Sequence, residues 1–318
     1  MSFDATLPLV MLAAYGICNL LLSAAVVIAW RAGLRAHLAA ADTVLGVRLL
    51  PAAGSAALVL TVILPAFFVY EPRHAHDQPG PLLVISSLFA LLLIADGVRR
   101  GWRAWRTTRA LLPSALPHPS RPLSEAAEVT VVNVAQPLVG VVGSWRQRII
   151  AARSVAAACD REEFRQVLAH EAAHMDARDN LKLLMLLAMP DPLAWLPTGS
   201  ALREHWRAAT ELEADERASG SDPRKRVALA SALIKVARLS LASSIASSWP
   251  GNGRPQAAAA ESGGLERRIR RLLAPTPAIY RSFPGRRLLT YALLVPLLAM
   301  PLYSSVHRLI EVLVAFGR

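Results

Sequence analysis

The chain has 318 residues, of which 54% are hydrophobic and only 18% are charged, and its formal net charge is +12. Soluble proteins usually carry about a quarter charged residues, so this composition excludes a disordered chain and argues against a purely soluble globule. Nearly all of the positive charge is arginine beside apolar segments, which indicates a membrane protein. Because no zinc-finger, RNA-recognition or helix-turn-helix pattern accompanies it, we expect no direct nucleic-acid binding.

Four apolar segments are long enough to cross about 30 Å of hydrocarbon as helices. They cover residues 7–30, 49–70, 81–98 and 288–306. No lysine or arginine precedes the first segment, so we expect a membrane anchor there rather than a signal peptide. The chain is therefore predicted to be a multi-pass protein of the inner (cytoplasmic) membrane.

The charges of the loops predict the orientation of these spans. The loop 31–48 carries Arg31, Arg35 and Arg48, and further arginines follow the third span and precede the fourth, whereas the loop 71–80 has one. Because arginine-rich loops face the cytoplasm, we expect the N-terminus and the loop 71–80 outside the cell. The predicted organisation is three spans in 1–98, a cytoplasmic domain in 99–287, and a fourth span with a short outer tail in 288–318.

A further apolar run, residues 181–196, is interrupted by Pro190, Asp191 and Pro192. A run of this length with these breaks is too short for a comfortable span. We predict a helix that packs on the cytoplasmic domain or dips into the membrane surface.

Short runs rich in valine and isoleucine predict three strands in the cytoplasmic segment, at residues 128–134, 138–142 and 147–155. Gly143 and Ser144 indicate a turn, and we expect a small antiparallel sheet. Residues 240–263 are small, polar and rich in glycine, which is typical of a flexible linker.

Two helices are predicted in the same segment. Asp160 followed by Glu163 is a capping-box pattern, which predicts a helix from Asp160 to about Ala177. A second helix should cover about 201–219 and end at Gly220, a residue type favoured just after helices.

The strongest chemical signal is His170-Glu171-Ala172-Ala173-His174. Helical residues four apart lie on one face with β-carbons about 5–6 Å apart, so two imidazoles can bind one zinc ion at about 2.0–2.1 Å. Glu171 lies about 100° further round the helix, where its carboxylate could reach a metal-bound water. Zinc would acidify this water, and Glu171 would take its proton as general base.

A hydrolytic zinc site needs a third protein ligand and an open position. In Glu211-Leu212-Glu213-Ala214-Asp215, Glu211 and Asp215 share a helix face and Glu213 points elsewhere. We assign Glu211 as the third ligand and Asp215 as the acceptor of a ligand histidine's free N–H; the alternative is a solvated acidic face. All ligands must share one compartment, so residues 181–196 cannot cross the membrane once.

Three other residues receive weaker interpretations. His205 is a candidate donor to the oxyanion of the transition state, with a surface histidine as the alternative. Asp179 should cap the next element or hold Arg178. The strand at 138–142 could bind a substrate as an added strand on the edge of the sheet, or be an ordinary structural strand.

The chain resembles the BlaR/MecR-type membrane zinc metallopeptidases, which are gluzincins. The resemblance rests on VLAHEAAHMDARDN (167–180), MPDPLAWL (189–196) and ELEAD (211–215). The HtpX and CAAX-prenyl-protease group shares the two zinc-binding patterns and is the nearest rival. Arg178-Asp179-Asn180 and the proline-broken segment favour the BlaR/MecR type.

This resemblance implies a mainly α-helical multi-span protein whose cytoplasmic α+β, zincin-like domain is a zinc endopeptidase. Such proteins sense a signal outside the cell and cleave themselves or a cytoplasmic transcriptional repressor. The chain ends where the best-known members carry a penicillin-binding sensor, so β-lactam sensing through that domain is not expected. The expected partners are a protein or peptide substrate, such as a repressor, and the lipid bilayer, with homo-oligomerisation left open.

Two other functions compete with this regulatory endopeptidase. One is membrane-protein quality control of the HtpX type, and the other is a non-catalytic membrane sensor or scaffold. The intact Glu171 argues against the scaffold, because a scaffold has no need of a general base. Self-cleavage could fall in the arginine-rich stretch 265–287.

Overall fold

The computed structural model of the chain describes residues 3–70, 80–114, 129–134, 136–247, 255–274 and 308. The chain divides into two compact units. The first unit comprises residues 1–102, 185–206 and 281–318, and the second comprises 103–184 and 207–280. The predicted fourth span at 288–306 and nearly all of the loop at 71–80 lie outside the described residues.

Three helical stretches among the described residues are long and apolar enough to cross a membrane: Thr6–Arg31, Ala41–Val69 and Pro81–Thr108. The first two lie in the first unit, and the third lies mostly in it. They coincide with the first three predicted spans, although the second begins at Ala41 rather than at residue 49. The elements that form them are α1 (Phe3–Arg31), α2 (Ala41–Leu58), a π-helical segment (Val59–Ile63), α3 (Leu64–Tyr70) and α4 (Pro81–Ser114). A short 3-10 helix, Leu34–His37, precedes α2.

Arg48 was assigned to a loop from the sequence, but it lies inside α2, where only 2% of the residue is exposed. Its Nη1 atom forms an ion pair of 2.6 Å with Oδ2 of Asp191, which is completely buried. A buried charge is tolerated only when it is paired, so this arginine is a structural residue of the first unit rather than a loop charge.

Residues 185–206 belong to the first unit, where they contact its helices. Tyr15 Oη and Asn19 Nδ2 both donate to the carbonyl of Pro190, at 3.0 and 2.8 Å. Arg100 Nη2 donates to the carbonyl of Met189 at 2.9 Å. The prolines interrupt the helix because they lack an N–H group, and the polar side chains of the spans satisfy the carbonyls that this break leaves free.

The described residues after α4 form six further α-helices: α5 (Arg153–Ala158), α6 (Arg161–Ala177), α7 (Asp179–Ala188), α8 (Pro197–Ser219), α9 (Pro223–Ser247) and α10 (Pro255–Leu272), with a 3-10 helix at Pro192–Trp195. The second unit contains α5, α6, α9 and α10 together with the start of α7 and most of α8, whereas the 3-10 helix belongs to the first unit. The predicted flexible linker is therefore helical at 240–247 and 255–263, and its remaining part, 248–254, lies outside the described residues. Small residues such as alanine favour helix as well as linker, which explains the difference.

The sheet has three strands, β1 (Val129–Val132), β2 (Val139–Val142) and β3 (Arg148–Ala152), in the order β1-β3-β2. β2 pairs with β3 antiparallel, as the predicted turn requires, but β1 pairs with β3 in parallel. The predicted antiparallel sheet is thus wrong for one pair. Because β3 lies between β1 and β2, those two strands are not neighbours, and the chain between them passes the end of β3. The predicted third strand stops at Ala152, and α5 follows it directly.

Helix α6 begins as predicted. The Asp160 side chain accepts the N–H of Glu163 at 2.8 Å, and the Glu163 carboxylate accepts the N–H of Asp160 at 2.8 Å. Phe164, Leu168 and Ala172 of this helix pack on a core of the sheet made by Val129, Ile149 and Ala151 with Val139 and Val141. The cap and this apolar face fix α6 on the sheet, so its opposite face is available for the histidines.

Candidate metal centre

Helix α6 places the two histidines of the sequence motif side by side. The Nε2 atoms of His170 and His174 are 3.1 Å apart, and the rings meet edge to face. This closeness follows from their spacing of one helical turn. His170 is 95% buried, whereas His174 is partly exposed.

Helix α8 brings Glu211 to this pair. Its Oε2 lies 3.5 Å from Nε2 of His170, and its Oε1 lies 3.7 Å from Nε2 of His174. Two ligand atoms bound to one tetrahedral zinc ion at about 2.0–2.1 Å lie about 3.3–3.4 Å from each other. The three observed separations of 3.1, 3.5 and 3.7 Å fall around that value. The two imidazoles and the carboxylate therefore could hold one metal ion.

Asp215 lies one turn after Glu211, on the other side of His170. Its Oδ1 is 3.0 Å from Nδ1 of His170, although the two groups are not aligned as a hydrogen bond. Only 4% of the Asp215 side chain is exposed. The structure therefore places Asp215 beside His170, where a neutral imidazole with its N–H on Nδ1 would leave the Nε2 lone pair free for a metal.

Asp179 plays the corresponding part for the second histidine, which the sequence analysis missed. Its Oδ2 lies 2.7 Å from Nδ1 of His174, so this aspartate contacts the ring instead of capping α7 or holding Arg178. Arg178 adopts the left-handed conformation, with φ 56°, and thereby ends α6. The turn folds the next residue back towards the last turn of α6. The only signal in the sequence was an acidic residue just after the histidine helix.

Arg268 of α10 also reaches the site, and nothing in the sequence pointed to it among the arginines of that stretch. Its Nε and Nη2 lie 2.8 and 2.7 Å from the two carboxylate oxygens of Asp215. Its Nη1 lies 2.6 Å from Oε2 of Glu211, and its Nη2 lies 3.3 Å from Nε2 of His170. One guanidinium thus touches three residues of the predicted site.

These contacts set the protonation of the acidic groups. Burial disfavours the charged form of Glu211, but the hydrogen bond with His170 and the charge of Arg268 outweigh it and lower its pKa to about 2. Burial likewise opposes ionisation of Asp215, and His170 and Arg268 again lower its pKa. Burial would lower the pKa of His170, yet its two carboxylate neighbours raise it to about 9. Both carboxylates are therefore anionic near neutral pH, as metal binding requires.

The pKa of Glu171 is shifted in the opposite direction to those of Glu211 and Asp215. Burial raises the pKa of its carboxyl group, against the lowering effect of His170 and His174. Glu171 lies on α6 between His170 and Ala172, and Ala172 packs on the core of the sheet. A carboxylate with a raised pKa is closer to the value at which proton transfer is efficient at neutral pH.

Two further residues from the sequence analysis lie elsewhere. His205 belongs to the first unit, where its Nε2 is 2.6 Å from the carbonyl of Leu38 and its ring meets Trp30 edge to face. This contact gives His205 a structural use, and its predicted role as an oxyanion donor remains untested. Glu213 forms an i,i+4 ion pair with Arg217 at 3.1 Å, outside the ligand group.

In comparisons with known proteins, the chain matches no family model, no curated protein and no solved structure.

Proposed function

We propose that this chain is a membrane-embedded zinc endopeptidase whose metal is held by His170, His174 and Glu211. The observation that carries the proposal is the convergence of these three side chains from two helices, with separations that suit one tetrahedral ion. Two imidazoles and one carboxylate form a donor set typical of catalytic zinc. Each histidine also has a carboxylate beside its other ring nitrogen, which is the usual support of such ligands.

His170, His174 and Glu211 would hold the zinc ion, which would supply Lewis acidity and lower the pKa of water at the site. The carboxylate of Glu171 takes a proton from the attacking water and passes it to the amide nitrogen of the scissile bond. The bond from water oxygen to carbonyl carbon forms, and the carbon–nitrogen bond breaks. Asp215 and Asp179 keep the imidazole rings of His170 and His174 oriented.

The free edge of β2 offers a place for the main chain of the substrate. Ala152 N–H donates to the carbonyl of Leu138, so the alternation of an antiparallel ladder turns the backbone groups of Val139 and Val141 away from β3. The carbonyl of Val141 accepts a hydrogen bond from Asn180 at 2.8 Å, which fits this orientation. We propose that an extended peptide pairs with the remaining outward groups of this edge.

The biological role that we propose is regulatory proteolysis at the cytoplasmic face of the inner membrane. The substrate would be the chain itself or a cytoplasmic protein such as a transcriptional repressor. This part rests on the resemblance to the BlaR/MecR type and on the arginine-rich loops. The three helices that could cross a membrane support the membrane location alone.

The test is metal analysis and cleavage by the full chain purified in detergent. We expect about one zinc per wild-type chain and a loss of zinc in Glu211→Ala. Glu171→Gln should retain zinc but lose cleavage of a generic unfolded substrate, such as casein, or of the chain itself, because it removes only the general base. Unchanged zinc in Glu211→Ala would refute the ligand set.

Glu213→Ala is the matched control for the ligand variant, since it removes a carboxylate from the same helix, two residues further along, that pairs with Arg217. It should keep both zinc and cleavage. If Glu171→Gln cleaves at the wild-type rate, the assignment of the general base is wrong. If zinc-loaded wild-type protein cleaves no protein substrate in the presence of membranes, the endopeptidase proposal fails and a sensor or scaffold is favoured.

A further inference from the structure

We infer that Arg268 is a positioning residue of the metal site, which holds the ligand Glu211 and its neighbour Asp215 in place through one guanidinium group. The inference rests on the proposed function, because it assumes that Glu211 binds the metal. Arg268 would act through these carboxylates and would not itself touch the metal.

The contacts of Arg268 form a fork. Nε and Nη2 bind the two oxygens of Asp215 at 2.8 and 2.7 Å, and Nη1 binds Oε2 of Glu211 at 2.6 Å. The guanidinium is planar and its N–H directions are fixed, so a two-point contact with Asp215 also determines where Nη1 lies. The position of the Glu211 carboxylate therefore depends on the orientation of the Asp215 carboxylate, which lies one turn further along α8. These charge-assisted bonds are among the strong ones in proteins.

The backbone of α10 just after Arg268 is also held in place by hydrogen bonds. Arg226 of α9 donates from Nε to the carbonyl of Leu272 at 2.8 Å, and from Nη2 to the carbonyl of Arg271 at 2.6 Å. Leu272 is 4% exposed and packs against Leu229 and Ala230 of α9. The end of α10 is therefore fixed to α9 only one turn beyond Arg268. The Arg268 side chain is itself only 16% exposed, unlike a typical surface arginine.

A positive group beside a metal site could also repel the metal, so the two effects must be weighed. Three short contacts, at 2.6 to 2.8 Å, go to carboxylates, while the contact with Nε2 of His170 is the longest at 3.3 Å. Because Nε2 has a single lone pair, His170 cannot accept from Arg268 and bind a metal at once. The carboxylates thus orient the guanidinium, and the bond to His170 is the one that metal binding would replace.

The experiment measures metal affinity in the full chain purified in detergent, by competition between the protein and a chelator for Zn²⁺ or Co²⁺. We expect Arg268→Gln and Arg268→Lys each to weaken binding by about tenfold or more, which is the usual effect of losing a residue that supports a ligand. Lysine keeps the charge but lacks the rigid planar fork that fixes both carboxylates in one orientation. The visible absorption bands of bound Co²⁺ should also change in both variants, which a general loss of stability would not produce.

Arg271→Gln is the matched control, because Arg271 lies on the same helix and pairs at 3.1 Å with Glu216, outside the ligand group. It should bind metal like the wild type. Wild-type affinity and wild-type Co²⁺ bands in both Arg268 variants would overturn the inference, as would tighter binding by Arg268→Gln. If Arg268→Gln fails to fold, Arg268→Lys decides. Failure of the wild type to bind metal would instead refute the proposed function, and this inference with it.

Discussion

Oδ2 of Asp179 lies 2.7 Å from Nδ1 of His174, on the side of the ring opposite to Glu211. Together with Asp215 beside His170, it gives each histidine of the pair its own carboxylate. Such a partner fixes the tautomer and the rotation of the ring and makes the imidazole a better ligand. The candidate metal centre therefore includes Asp179 and Asp215 beside the three side chains that could bind an ion.

Asp179→Asn should weaken zinc binding by about 10- to 100-fold, because the neutral amide supports the His174 ring less well. Chelator competition measures this effect. Asp176→Asn is the control, since Asp176 is exposed on the same helix as His174. Equal zinc affinity in Asp179→Asn and the wild type would mean that Asp179 does not support the ligand.

The cap of the histidine helix depends on Glu163, whose carboxylate binds Ser231 and Lys235 at 2.6 Å each as well as the N–H of Asp160. We expect Glu163→Gln to lower the free energy of unfolding of the second unit by about 1–3 kcal/mol, as for other buried hydrogen-bond partners. Thermal unfolding in detergent measures it. Glu162→Gln is the control, because the Glu162 side chain on the same turn is 40% exposed and contacts Arg165 and Gln166 rather than Ser231 and Lys235. A loss in both variants alike would contradict the prediction.

The same network predicts a dependence on pH. Burial opposes ionisation of Glu163, but hydrogen bonds from Lys235, Ser231 and the backbone of Asp160 lower its pKa. Its stabilising effect is therefore present above the unfolded-state pKa of about 4.3, and it disappears as the pH falls through the lower folded-state pKa. The Glu163 hydrogen bond raises the pKa of Lys235, so that contribution is present below about pH 10.4 and is lost as the pH rises through the folded-state value.

Melting temperatures of the wild type and Glu163→Gln across this range test the expectation. The difference between the two proteins should stay constant between about pH 5 and pH 9, and it should shrink on further acidification. A difference that persists unchanged at pH 3 would show that the charge of Glu163 contributes nothing.

The buried ion pair between Arg48 and Asp191 should behave as a unit. Oδ2 of Asp191 binds Arg48, and its Oδ1 has no hydrogen-bond partner among the residues that the structure describes. Arg48→Met therefore leaves a buried charge unpaired and should cost about 3–5 kcal/mol. The double variant Arg48→Met/Asp191→Leu should recover most of this loss, because it removes both charges. The free energies of unfolding of the wild type, the two single variants and the double variant, all in detergent, test this expectation. A loss in the double variant equal to the sum of the two single losses would contradict it.

The edge of β2 makes a prediction about substrate binding. Val139→Pro removes an N–H that points away from β3, so the ladder with β3 should persist, while the rate of cleavage falls at least severalfold. Val139→Ala is the control for the loss of side-chain packing, since Val139 contacts the core of the sheet. Equal cleavage rates for the proline and alanine variants would exclude pairing of the substrate with this N–H.

Several features of the fold and site could be predicted because they depend on residues close together in sequence. Spans follow from the hydropathy of continuous segments, and the α6 cap follows from two residues three positions apart. The juxtaposition of His170 and His174 follows from one turn of helix. The position of Asp215 on the same face of α8 as Glu211 follows from their spacing, which repeats that turn.

Other features depend on which distant segments meet, and no local pattern encodes this. The parallel pairing of β1 depends on where β3 enters the sheet, and the approach of Arg268 depends on how α10 packs on α9. Arg48 looked like a loop charge because only its partner, far along the chain, makes its burial possible.

The amino-acid sequence by itself determined three helices apolar enough to cross a membrane, the histidine helix and the kinds of side chain available to a metal. Only the tertiary structure decided that Glu211 meets those histidines, that Asp179 and Arg268 join them, and that residues 185–206 pack on the apolar helices. The physical reason is range: helix periodicity and hydropathy act within a few turns, whereas coordination, ion pairing and packing require groups from separate helices to come within a few ångströms.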